Sequence, residues 1–129
     1  MAMDECVTEV LENLNPEMVQ KIEENFNTID EFNCFGFVAA WFGWNPVLTV
    51  EFEEDIMGYL AQNATETESI EGSDIVAWFE NGEITHIGVI ISARNETYLG
   101  KMGGLELAID DIRYGNFDYG TENKYYKVN

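Results

Sequence analysis

Positive charge is what this chain has least of. Six lysine and arginine side chains face 25 aspartates and glutamates, a formal net charge of −19 over 129 residues. Binding nucleic acid through its phosphates needs a basic face, so the composition argues against direct nucleic-acid binding and against adhesion to an anionic membrane or cell wall. It permits a basic protein partner, or mimicry of the charge of DNA. Cysteine is equally sparse. Cys6 and Cys34 make no disulfide framework, and both read as free thiols in a reducing, cytoplasmic setting. No apolar run approaches the length of a membrane span. The start, Met1-Ala2-Met3-Asp4-Glu5, is acidic where a signal peptide is basic, which predicts a chain that stays inside the cell or leaves it without a signal. Of histidine there is one, His86.

What is present is apolar enough to fold. Hydrophobic residues make up 46% and aromatics 13%, which separates the chain from disordered acidic tails and suits one domain over residues 1–129. Asp4 to Leu14 repeats Cys6, Val7, Val10, Leu11 and Leu14 at helical spacing. Asn15 and Pro16 start a second helix carrying Val19, Ile22, Phe26 and Ile29. Asn33 is a good N-cap for a short apolar helix that Gly43 stops. Thr49 is placed to cap a fourth helix, with Glu51, Glu53, Glu54 and Asp55 in its first turn and Phe52, Ile56, Tyr59 and Leu60 as its apolar face. The spacing of those acids fits no calcium loop, and neither metal nor cofactor is called for.

Residues 63–73 are polar and read as a surface loop. The pattern then changes. Asp74 to Phe79 is a strand, Asn81-Gly82 a two-residue hairpin turn, and Glu83 to Ser92 the returning strand. Thr97 to Met102 is a further strand, Ala108 to Tyr114 a short helix, and residues 124–128 a last strand. A helical part over about 4–62 followed by strands over about 74–128 is the α+β pattern, helices packed on an antiparallel meander.

Two residues carry the chemistry. Cys34 sits at the first turn of the apolar helix, where the helix dipole favours thiolate. His86 lies in a distant strand. A thiol on a helix and an imidazole on a strand can form a thiolate–imidazolium pair if the two approach within about 4 Å.

Three stretches resemble the NlpC/P60-like branch of the papain-like cysteine peptidases and amidases. Asn33-Cys34-Phe35-Gly36-Phe37-Val38 is similar to the family's D/N-C-x-G-φ-V. Gly72 to Phe79 is similar to its G-D-φ-V-φ-F strand, with Ser73 inserted, and Thr85 to Ile91 to its H-φ-G-φ-φ-φ strand. The resemblance runs from Asn33 to the end of the chain, in the family's order. It implies a papain-like core and a hydrolase that cleaves an amide or peptide bond, such as those of peptidoglycan stem peptides. Cys34 would be the nucleophile, His86 the general base, and the Cys34 N–H part of the oxyanion hole. For the third polar group the chain offers Lys101, which cannot accept a hydrogen bond while charged, or Glu106 beyond the glycines, or a backbone carbonyl.

Two other readings stand beside the enzyme. The same fold could serve as an acidic binding module that docks a basic protein, with Cys34 and His86 idle. Or Cys34 and His86 could be plain structural residues, with Trp41, Trp44, Trp78 and the C-terminal tyrosines as core or an oligomer interface.

Overall fold

The computed structural model describes residues 5–24, 32–102, 107–120 and 122–129. Four helices come first: α1 (Glu5–Leu14), α2 (Pro16–Glu24), α3 (Cys34–Trp41) and α4 (Glu53–Asn63). Strands β1 (Ala64–Thr67), β2 (Ile75–Glu80), β3 (Glu83–Ser92), β4 (Thr97–Lys101) and β5 (Leu107–Asp111) follow, then α5 (Ile112–Asp118) and β6 (Glu122–Val128). The fold is α+β, as the run of helices before strands implied.

The six strands form one antiparallel sheet in the order β1-β6-β2-β3-β4-β5. Only β2 to β5 make a meander; the C-terminal strand β6 inserts between β1 and β2. Asp74 helps fix that insertion. Its carboxylate accepts the Val128 N–H at 2.8 Å, and its own N–H reaches the Tyr126 carbonyl. The β2–β3 turn is the primed hairpin turn that Asn-Gly favours, with positive φ at Asn81 and Gly82.

Alternation along the strands divides the interior in two. Ile75, Ala77, Phe79, Ile84, Ile87, Val89, Leu99 and Tyr126 face α1 to α4, where Val7, Leu11, Met18, Val38, Ile56 and Leu60 meet them. Val76, Trp78 and Tyr98 face the other way and are covered by Ile112 at the start of α5. Gly115 makes that cover possible, since a Cβ there would lie 2.3 Å from the Trp78 ring. The Trp78 indole N–H donates to Asn116 Oδ1 at 2.9 Å.

Several elements differ from expectation. Residues 64–67, inside the polar stretch, form edge strand β1 because β6 supplies a partner for a sequence with little apolar signal. Ala108 to Asp111 is strand rather than helix, since pairing with β4 overrides local propensity; the helix begins at Ile112 behind the Asp111 cap. Helix α4 starts at Glu53, not at Thr49, and Phe52 at its N-cap is exposed instead of joining the apolar face. In α1, Val7 and Leu11 are buried while Cys6 and Leu14 face solvent. The expected apolar positions Phe26 and Ile29 lie outside the described residues.

Candidate functional site

One side chain, Asn33, ties down the start of the cysteine helix. Asn33 Oδ1 accepts the Gly36 N–H at 2.9 Å, the expected cap, and also the Glu51 N–H at 3.1 Å. Asn33 Nδ2 donates to the Glu51 carbonyl at 2.8 Å. The loop entering α4 is thereby bound to the start of α3. The approach is so close that a Cβ on Gly36 would sit 1.6 Å from the Thr49 carbonyl oxygen. Gly43 has φ +75°, the left-handed conformation read from its position after the last turn.

Cys34 is thus at the helix start, but it is 8% exposed and packed in the larger core cluster. Burial pushes its thiol up from 9.0 to about 11. The Ile87, Phe35 and Cys34 N–H groups and the Lys101 charge pull the other way and are outweighed. Burial therefore disfavours the thiolate that the helix dipole was expected to favour. Desolvation of a small anion exceeds what one short helix returns.

His86 is 1% exposed. It pairs directly with Trp78 across β2 and β3, so the two side chains share a face. That is the face of the second cluster, away from α3. Its ring stacks on Tyr119 with centroids 3.8 Å apart and meets Trp78 at 5.4 Å and Tyr98 at 5.8 Å. Its Nε2 lies 3.4 Å from the Tyr98 hydroxyl. Burial alone lowers its pKa from 6.5 to about 4, leaving a neutral ring. The Tyr98 and Tyr119 hydroxyls both reach Met102 Sδ, at 3.6 and 3.5 Å. Burial raises both phenols, so this aromatic cluster is uncharged. Gly88 and Gly100 leave room for the Tyr98 ring, for a Cβ on Gly88 would come 2.3 Å from it.

Cys34 thus packs with the helix-facing cluster and His86 with the aromatic one, and no hydrogen bond joins them, although the thiol is near enough to the Tyr98 and Tyr119 hydroxyls to help raise both. The Cys34 sulfur lies against the N–H of Ile87, the residue after the histidine. Lys101 is fully buried, with Nζ 5.2 Å from the centroid of the Phe32 ring. By alternation from Tyr98 it lies on the α3 side, so the structure brings it toward Cys34 and not toward His86. Glu106 lies outside the described residues. The groups that do surround the imidazole are Trp78, Tyr98 and Tyr119. Strand alternation from Trp78 could have found the first two; Tyr119, beyond α5, left no sequence signal.

Among the described residues no three His, Cys, Asp or Glu side chains converge as a metal site, and no helix is long and apolar enough to cross a membrane. Neither family models, curated proteins nor solved structures give a match to this chain.

Charge is distributed unevenly. Residues 1–93 contain 19 of the 25 carboxylates and only one cation, Lys21. Arg94, Lys101, Arg113, Lys124 and Lys127 all follow. Of these, Arg113 pairs with Asp111 and Glu96, and Lys124 with Glu66 and Glu122.

Proposed function

We propose that this chain is an acidic docking module that binds a basic surface on another protein, including one that otherwise receives DNA. The carrying observation is the near absence of cations from residues 1–93, which leaves their carboxylates with little internal compensation. Such a field steers a positively charged partner and repels acidic ones. On this reading Cys34 and His86 are packing residues, consistent with burial that favours a protonated thiol and a neutral imidazole.

A second reading keeps a papain-like cysteine hydrolase acting on an amide bond. It is favoured by Cys34 at the capped start of α3, with its sulfur beside the backbone next to His86. It requires the imidazole to come within hydrogen-bond reach of the sulfur and the thiol pKa to fall from about 11.

Titration of the chain with an arginine-rich peptide, and displacement of DNA from a basic DNA-binding protein, test the first reading. Binding that weakens steeply with salt and survives Cys34→Ala supports it. Iodoacetamide tests the second. Cys6 is exposed and alkylates in the folded chain, whereas Cys34 is expected to react only on unfolding. Fast alkylation of Cys34 below neutral pH, slowed by His86→Ala, would replace the docking module with the hydrolase.

A further inference from the structure

We propose that the docking face is the entry to α4, and that its occupant is an arginine-bearing basic segment of the partner protein. The proposal rests on the docking-module reading and deepens it. Phe52 occupies the N-cap of α4, a position that normally takes a small polar residue able to accept a backbone N–H. Phenylalanine cannot do this, and its ring is 71% exposed. Val47 at 59% and Val50 at 42% extend the apolar surface along the same loop. An aromatic side chain left in water at a helix cap is the kind of anchor that interfaces use.

The platform beneath Phe52 is preorganised. Glu51 is clamped on both sides of its backbone by Asn33, and its carboxylate accepts from Asn45 Nδ2 at 2.5 Å. Because Glu51 points inward, its neighbours Val50 and Phe52 are turned outward. The Phe52 N–H is held by Asp55 Oδ2 at 2.9 Å. Little ordering therefore remains to be done when a partner arrives.

The chemistry around the ring selects the partner. Phe52, Glu53, Glu54 and Asp55 line one open groove. Residues 47–63 contain four carboxylates and no lysine or arginine. A planar guanidinium can lie on the ring and share its N–H donors with the flanking carboxylates, which an ammonium matches less well. A second copy of this chain is a poor occupant, since a two-fold contact would set Glu53, Glu54 and Asp55 against themselves.

The test uses the full chain, titrated with an arginine-rich peptide and its lysine-rich counterpart, with amide NMR shifts mapping the contact. The arginine peptide is expected to bind more tightly and to shift residues 50–57. Phe52→Ala, at an exposed position, should leave thermal stability unchanged and weaken binding about tenfold. Glu53→Gln with Glu54→Gln should weaken it comparably, while Glu9→Gln with Glu12→Gln on α1 should change it by less than about twofold. Equal losses from both pairs, with Phe52→Ala silent, would overturn this face and leave a diffuse acidic docking surface. A dimer that dissociates in Phe52→Ala would overturn it in favour of self-association. Failure of the chain to bind any basic probe would remove the docking function itself.

Discussion

The buried imidazole of His86 makes the stability of this protein depend on pH in a defined window. In the folded chain burial lowers its pKa to about 4, against 6.5 ordinarily. As pH falls, the unfolded chain takes up the proton first. The stability held above the unfolded value is therefore lost as pH falls from about 6.5 through about 4. The full effect is about 3 kcal/mol, of which about 2 kcal/mol falls between about pH 7.5 and about pH 5. Many carboxylates titrate near the lower end, so the measurement is a difference between two chains. Urea unfolding of the wild type and of His86→Phe at both pH values isolates the histidine. The phenyl ring keeps the stack on Tyr119 and removes only the Nε2 contact to Tyr98, a pH-independent loss of about 1 kcal/mol. The variant should lose about 2 kcal/mol less than wild type on acidification. Equal losses in the two chains, or an NMR titration placing the imidazole near its ordinary value, would refute the account of a sealed neutral ring.

Two glycines in helices should respond to alanine with opposite sign. Gly36→Ala forces a Cβ onto the Thr49 carbonyl and should destabilise by about 3 kcal/mol in thermal or urea unfolding, whereas Gly58→Ala meets nothing within 4 Å and should stabilise by about 0.5–1 kcal/mol. Asn33→Asp keeps the cap acceptor but cannot donate to the Glu51 carbonyl, so it should lower stability by about 1–2 kcal/mol; Asn33→Ala removes all three bonds and should cost more in the same assay. Gly115→Ala drives a methyl into Trp78 and should red-shift and broaden its fluorescence by lifting α5 from the sheet.

The parts of the fold that were legible are those governed by local chemistry. Asn33 and Gly43 bound α3 because capping and left-handed geometry are satisfied within a few residues. Asn81-Gly82 fixes the β2–β3 hairpin for the same reason. What was not legible depends on partners far along the chain. Residues 64–67 become a strand only because β6 returns to them, and residues 108–111 only because β4 does. Phe52 has the right spacing for a core position, but tethering of Glu51 to Asn33 turns it outward.

The same distinction explains the candidate site. Sequence order can bring a helix cysteine and a strand histidine to one level of the fold, and it does so here, within one residue along β3. It cannot say which side of the strand the histidine takes. That choice is made by the irregularity opposite Trp78 and Phe79, where pairing steps from His86 to Ile84 past Thr85. The Thr85 hydroxyl is spent on the Trp78 and Tyr119 carbonyls. The skipped residue lets both Ile84 and Ile87 face the helices while His86 stays with Trp78. A strand without the bulge would put Ile84 and His86 on the same side and force either the imidazole into the aliphatic core or the isoleucine out of it. Packing of two isoleucines thus assigns the histidine to the aromatic face.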